Sequence, residues 1–494
     1  MSSSKTSMNV VLIHGDQLRA DSVGCYGNPI VRTPNIDRLA RSGTRFVWTF
    51  AQHPQCAPSR ASMLTGRYPH INGGISNHVA MGEHEKTLGE HLQTEGYRTF
   101  GVGKLHLFSQ KEQASFTDTS LCGGQNSDAT SPEVLREDYK QWAKDNGYWK
   151  DLKRAYAVRR NPAYRENFQA VVSPMPAEAY IDSWVGDQSV SYIRKQPADE
   201  PFFMFVGLPN PHNPFEPPEP YASLYNPDDM PIPETFHSDL STKPPHQLAY
   251  KRYGRQNIGA NYEKLDAPRL RRLIAYYYAS ITLVDDQVGK IMAALEHRQM
   301  LDNTLVIFTS DHGELLGHHG MLLKSTDQYP ILYDKSLHVP LIIRLPGPPG
   351  GRVIEEPAEL VDLYPTILDW LKLEIPPEIQ GCSLLPAIQG GPAPEREHIF
   401  AESGAAKMLR GERHKLVYYP GQSYGELYDI KEDPLEINNL YTNPDYQDIR
   451  ASMIQRLLDR LIYTEAPQHG ESKRGPVYWR TLYRLPFESD VNSS

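Results

Sequence analysis

Cysteine is scarce in this chain: four in 494 residues, Cys25, Cys56, Cys122 and Cys382, widely spaced and without a CxxC pair. So few cannot staple a chain of this length, which excludes a disulfide scaffold and makes a reducing compartment the simpler reading. Long apolar runs are also missing. The longest, around Phe202–Leu208 and Leu305–Phe308, fall well short of the ~18–20 residues that span a bilayer, so no membrane partner is expected. The Ser-rich start, Met1–Met8, leads into Val10–Ile13, too short a run for a signal-peptide core. The expectation is a cytoplasmic protein, with a trimmed exported chain left open. Excess positive charge is absent too: 51 Lys and Arg face 60 Asp and Glu, a net charge of −9, which argues against a nucleic-acid partner. There is no low-complexity tract and no internal repeat. With 22% charged and 39% hydrophobic residues, the chain is globular and long enough to bury a real core.

Proline (41) and tyrosine (29) are generous, the mark of many ordered loops. Five short segments rich in β-branched and aromatic residues read as buried strands: Asn9–His14, Arg98–Val102, Phe202–Gly207, Leu305–Thr309 and Val339–Arg344. Helical patterns separate them, at Asn35–Ser42, Lys86–Glu95, Asp182–Lys195 and Leu270–Arg298. This alternation predicts an α/β fold, a large doubly wound, mostly parallel sheet flanked by helices. Ser109–Pro176 and Asn210–Asp266 break the pattern and read as lids or binding walls, with Tyr139, Trp142, Tyr148 and Trp149 as candidate pocket aromatics. After a helix at Asp362–Leu373, turn-rich sequence suggests a boundary. The expected division is a catalytic α/β domain over 1–390, a small C-terminal α+β domain over 391–465, and a tail over 466–494. In the small domain, His398–Glu402, His414–Tyr419 and Glu426–Tyr428 read as strands and Tyr446–Tyr463 as a helix. The tail carries Trp479, Tyr483, Leu485 and Phe487 without a period, which suggests a homo-oligomer contact.

Open α/β sheets bind ligands at the carboxyl ends of their strands. Here those ends read Asp16-Gln17, Lys104-Leu105-His106, Asn210-Pro211-His212 and Asp311-His312. Gathered on one edge, two carboxylates, three histidines and a lysine can hold a divalent metal and leave groups free for proton transfer. Taken singly, each has a blander reading as a helix cap or a satisfied partner; recurrence at four strand ends is the signal. Asp16, Gln17, Asp311 and His312 supply mainly hard oxygen donors plus one imidazole, a set suited to Ca²⁺, Mg²⁺ or Mn²⁺. Glu314, His318 and His319 read as a turn and a first helical turn.

The most specific segment is Cys56-Ala57-Pro58-Ser59-Arg60-Ala61-Ser62-Met63-Leu64-Thr65-Gly66-Arg67. It resembles the C-x-P-S-R-x-x-x-L-T-G-R signature of the sulfatase family, of the alkaline phosphatase superfamily, at every defined position. Further likeness lies in Gly103-Lys104-Leu105-His106, in His212 after the Phe-rich strand, in Ser310-Asp311-His312-Gly313, in Lys324, and in Leu427-Tyr428-Asp429 through Leu440. The resemblance implies that a separate formylglycine-generating enzyme oxidises Cys56 to formylglycine, whose hydrate attacks a small-molecule or saccharide sulfate ester. It implies Cys56, Arg60, Lys104, His106, His212, Asp311 and Lys324 as catalytic residues. Asn77, Lys104, His212 and Lys324 would bind substrate, and Asp16, Gln17, residue 56, Asp311 and His312 the metal. Asp16-Gln17 and Asp311-His312 depart from the family's commoner Asp-Asp and Asp-Asn. They resemble a branch with choline sulfatases, some arylsulfatases and phosphonate monoester hydrolases. One carboxylate fewer leaves Ca²⁺ first and Mn²⁺ or Mg²⁺ open. Lys104 and His106 favour the sulfate side, since the phosphonate hydrolases tend to carry Tyr and Thr there. The rivals are a phosphonate monoester hydrolase or phosphodiesterase on the same scaffold, a thiolate enzyme using Cys56 with His53, and a silent binding protein with an unmodified cysteine.

Overall fold

The computed structural model describes residues 8–464, apart from 124–131, 133–134, 198, 255–261 and 348–349. The tail over 466–494, with its expected oligomer contact, lies outside the described residues. Among the described residues, ten strands precede residue 360: β1 (Asn9–Gly15), β2 (Thr44–Phe46), β3 (Thr49–Phe50), β4 (Arg98–Gly103), β5 (Asp118–Leu121), β6 (Phe202–Leu208), β7 (Thr304–Ser310), β8 (Leu341–Arg344), β9 (Arg352–Ile354) and β10 (Ala358–Glu359). Eight of them form one sheet in the order β5-β4-β6-β1-β7-β8-β2-β9. The five from β5 to β7 run parallel, and β8 pairs antiparallel with both β7 and β2. The doubly wound mixed sheet expected from the alternation is therefore present.

β1 lies at the centre because Val10, Val11, Leu12 and Ile13 are apolar on both faces, as a strand covered on both sides requires. Its alternate residues feed two cores. Val11 and Ile13 pack with Val206, Phe308 and the helices Ile181–Lys195 and Ala267–His297, whereas Val10 and Leu12 pack with Phe203, Phe205, Ile307 and the helix Leu363–Leu371. Fully burying side chains of this size contributes about 1.5–3 kcal/mol each. The register His14↔Thr309 and Gly15↔Ser310 brings the carboxyl ends of β1 and β7 level, so Asp16 and Asp311 emerge side by side.

Four further strands, β11 (Ile399–Ser403), β12 (Ala406–Arg410), β13 (His414–Tyr418) and β14 (Glu426–Asp429), form an antiparallel sheet in chain order. The helix Gln447–Thr464 lies against it through Met453 and Leu457. Ile399, Ala401, Met408 and Val417 belong to the same apolar cluster as Val10 and Leu12, so this sheet docks on a face of the large one.

The stretch after Ser109 is built differently from the expected lid. It contains the helices Glu137–Asp145, Trp149–Val158 and Pro162–Glu166 and contributes edge strand β5. Tyr139 is buried in the main core with its hydroxyl on the Ala179 carbonyl (2.8 Å). Trp142 stacks between Tyr139 and Tyr148, and Trp149 lies under Lys144 and Lys153. These aromatics pack one helix on another, which corrects their reading as pocket groups.

Candidate active site

Four strand ends and one helix start converge. Beyond β1 the chain turns at Gln17, whose φ of 67° is unusual for a residue with a side chain. Three contacts hold it there: the Gln17 N–H donates to Asp311 Oδ1 (3.0 Å), the Tyr277 hydroxyl donates to the Gln17 carbonyl (2.7 Å), and the Gln17 side-chain amide donates to Glu314. Cys56 opens the helix Cys56–Thr65, where the peptide dipoles and free N–H groups favour negative charge. Asn77 satisfies one of those groups, its Oδ1 accepting from the Ala57 N–H (3.0 Å). Its visible work is capping this helix; the expected substrate contact remains a proposal.

Around the Cys56 sulfur stand His312 Nε2 (3.2 Å), Lys324 Nζ (3.0 Å) and Asp16 Oδ1 (3.6 Å). His106 and His212 also act on it. Burial pushes the thiol up, but Lys324, Lys104 and His312 outweigh burial and hold it well below the ordinary thiol range. Arg60, fully buried, donates to Asp311 Oδ2 (2.9 Å), Asp16 Oδ2 (3.0 Å) and the carbonyls of Lys104 (2.5 Å) and Leu105 (3.2 Å). Lys104 also pairs with Asp16 Oδ2. Burial pushes Asp311 up as well, yet His312 and Arg60 keep it ionised far below the usual carboxylate range. His212 is pressed down to about 4 by burial and by Lys324 and Lys104; it is neutral at pH 7, with Nδ1 on the Asn213 carbonyl (2.5 Å).

Asp16, Cys56, Asp311 and His312 each offer a ligand atom within 4.8 Å of the others. His312 Nδ1 lies 2.9 Å from the Gly313 carbonyl, which leaves Nε2 as the ring nitrogen that faces the sulfur. Gln17 Oε1 is buried and has no hydrogen-bond partner among the described residues, as an oxygen suited to a cation would be. The residues therefore fit a divalent metal.

The expected Asp16, Gln17, Cys56, Arg60, Lys104, His106, His212, Asp311, His312 and Lys324 thus gather in one place. Two neighbours escaped the sequence reading. Glu314 is fully buried and accepts from the Gln17 amide and from the Leu316 (2.9 Å) and Leu323 N–H groups. It ties Gln17 to the loop that carries Lys324, where the sequence suggested only a turn. Its place three residues after Asp311 was the available signal. His14, inside β1, has Nε2 3.8 Å from Asp311 Oδ1, has no hydrogen bond to either ring nitrogen among the described residues, and has its pKa lowered to about 4, by burial first and then Arg60. His318 and His319 stay structural: His318 Nδ1 lies 3.0 Å from the Thr235 hydroxyl, and His319 stacks on Tyr333.

The Sulfatase family model matches residues 8–373, and the model described as N-sulphoglucosamine sulphohydrolase, C-terminal, matches 317–462. An arylsulfatase of Clostridium perfringens is 28% identical over 472 residues, covering 91% of this chain and 93% of the relative. An N-acetylglucosamine-6-O-sulfatase of Bacteroides thetaiotaomicron is 26% identical, covering 91% and 85%. The solved phosphonate monoester hydrolase of Agrobacterium radiobacter superposes with a TM-score of 0.77 at 26% identity, covering 91% of this chain and 95% of that one. No described helix is long and apolar enough to cross a membrane. With the family model spanning most of its length and sulfatases among its relatives, this chain is a sulfuric ester hydrolase and belongs to the sulfatase family.

Proposed function

We propose that this protein hydrolyses a sulfate monoester, R–O–SO₃⁻, to an alcohol and inorganic sulfate, using formylglycine made from Cys56 and one divalent cation. The observation that carries the reading is the setting of residue 56. It is buried at a helix start, among the positive charges of Lys104 and Lys324 and the possible metal ligands Asp16, Asp311 and His312. Hydrated formylglycine supplies one oxygen to attack sulfur and a second hydroxyl whose deprotonation expels sulfate. A divalent cation, which Asp16, Gln17, Asp311 and His312 would hold, would supply positive charge to the site as a Lewis acid.

The chain's own groups take complementary parts. Arg60 spends its donors on two carboxylates and two carbonyls, so it positions the metal ligands, and neutralising the sulfuryl oxygens falls to Lys104 and Lys324. Asp311 receives the first diol proton. Pinned by N–H groups and Arg60 it is a weak base, which suffices because an oxygen already bonded to sulfur is strongly acidic. Lys324, with a proton at Nζ, stands ready to protonate the leaving alcohol. His212, held low by burial first and then by Lys324 and Lys104, joins it when the substrate's negative charge offsets the two lysines. His106, whose side chain hydrogen-bonds that of residue 56, accepts the second diol proton.

Likeness to the phosphonate monoester hydrolase favours a second reading, turnover of phosphonate or phosphate esters in the same site. Relative kcat/KM for aryl sulfate, aryl phosphodiester and aryl phosphonate separates the two. The sulfate ester is expected to lead, and a phosphonate preference would reverse the assignment. Full turnover by the Cys56→Ala variant would exclude both covalent routes.

A further inference from the structure

Phe108 is held in a backbone conformation that suits glycine. Its φ is 68° and its ψ 144°, and His106, two residues earlier, also has a positive φ, 59°. A bulky residue stays there only where its surroundings over-determine it, and such positions cluster at functional sites. Leu107, between the two, is buried in the core with Leu105 and Phe116. Its N–H donates to Glu112 Oε1 (3.3 Å), and the Phe108 carbonyl accepts from the Glu112 N–H (3.0 Å). Glu112 is fixed in turn by Arg136 (2.7 Å). The Phe108 side chain is half-buried and joins none of the apolar clusters among the described residues, so core packing does not account for the turn.

A second loop stands beside it. The Asn72 carbonyl accepts from the Gly82 N–H (2.8 Å) and closes that loop at its neck. Asn77 pins it to the helix of residue 56: Asn77 Oδ1 accepts from the Ala57 N–H (3.0 Å), and the Asn77 N–H donates to Gln55 Oε1 (3.1 Å). Two residues to either side of Asn77 stand Ile75 and Val79, 44% and 41% exposed. Lys111 joins the two segments, its Nζ donating to the Glu85 carbonyl (2.6 Å). His106 hydrogen-bonds the side chain of residue 56. Two residues span at most about 7 Å, so Phe108, Ile75 and Val79 each branch from the backbone within that distance of a residue bonded to position 56 or 57. None of the three side chains offers a hydrogen bond. Saccharide hydroxyls would go unpaired against them, whereas an apolar ring gives up only water.

We propose that Phe108, with Ile75 and Val79, selects the leaving alcohol of the substrate, favouring one that is aromatic or otherwise apolar beside its ester oxygen over a saccharide. This selection rests on the sulfate-ester hydrolysis proposed above.

The test uses the full-length chain with residue 56 oxidised, its formylglycine fraction read by peptide mass. Wild type, Phe108→Gly and Phe108→Tyr are compared on naphthyl sulfate and on a glucose sulfate. Dividing each variant's kcat/KM by that of wild type cancels the unequal reactivity of the two esters. Phe108→Gly should lose about tenfold on the naphthyl ester, chiefly through KM, and stay within about twofold of wild type on the sugar ester. Phe108→Tyr should keep the wild-type values. Glycine takes this backbone freely, so the thermal midpoint of Phe108→Gly should not fall, and a folding defect would in any case lower both esters together. The pair Ile75→Ser with Val79→Ser, away from the strained turn, should also lose activity on the naphthyl ester alone. Equal losses on both esters, or no loss on the naphthyl ester, overturn the proposal, as does a wild type that prefers the sugar ester. An oxidised wild type inert toward every sulfate ester would instead bring down the sulfate-ester reading, and the selection with it.

Discussion

Replacing Arg60 by alanine tests how the charges of the site are held. The guanidinium is fully buried and compensates two carboxylates, at 2.9 Å from Asp311 and 3.0 Å from Asp16. Removing one partner from a buried ion pair costs about 3–5 kcal/mol, because the charge left behind is uncompensated. The Lys104 and Leu105 carbonyls lose their donor as well, each worth about 1–3 kcal/mol if left unsatisfied. These contributions share one side chain and do not add fully, so a net loss of about 4–6 kcal/mol is expected. Arg98→Ala is the control: its ion pair with Asp118 is roughly half exposed, and its loss should cost under about 1 kcal/mol. Guanidinium unfolding midpoints in chelator are the assay. Repeating them in saturating Ca²⁺ should narrow the Arg60→Ala deficit, since a divalent ion takes over the two carboxylates. An Arg60→Ala chain within about 1 kcal/mol of wild type in chelator would refute the reasoning, because that is the scale of an exposed pair.

Glu314→Gln leaves one acceptor oxygen where two served the Gln17 amide and the Leu316 and Leu323 N–H groups, so the hold on the Gln17 side chain weakens. Calorimetric titration of the metal-free protein should show Ca²⁺ or Mn²⁺ affinity falling about 10–100-fold, and the exchanged pair Gln17→Glu with Glu314→Gln should recover part of it. Unchanged affinity would return Glu314 to a purely structural role. Stability should fall as pH drops below about 6.5. His53, buried, titrates near 4 and His319, buried, near 3 in the folded chain, whereas an unfolded histidine binds its proton near 6.5. The unfolded state therefore takes up more protons in that window. A midpoint that holds constant from pH 7 to 4 would contradict this.

Much of the fold was legible because its central strands are apolar on both faces and its helices amphipathic. β1, β4, β6, β7 and β8 were all expected within two residues of their observed ends. β12, Ala406–Arg410, was not: its sequence AKMLR has no β-branched residue, and only pairing with β11 and β13 makes it a strand. β2, β3, β5 and β9, each two to four residues, likewise owe their form to neighbours. In the site, the polar residues at strand ends were readable because topology sends those ends to one edge. Glu314 was not readable, since its role is set by three N–H donors from residues 17, 316 and 323. The hydrogen bonds of Arg60 and the neutrality of His212 are matters of burial and neighbouring groups, which no spacing in the sequence encodes.

The central claim turns on the side chain at position 56 in protein that hydrolyses an aryl sulfate. The mass spectrum of the tryptic peptide Phe46–Arg60 from such a preparation reads it directly. The sulfur should be gone and an aldehyde reactive toward hydrazine present, in a fraction that tracks specific activity. A fully active preparation whose peptide carries only the cysteine thiol would contradict the account.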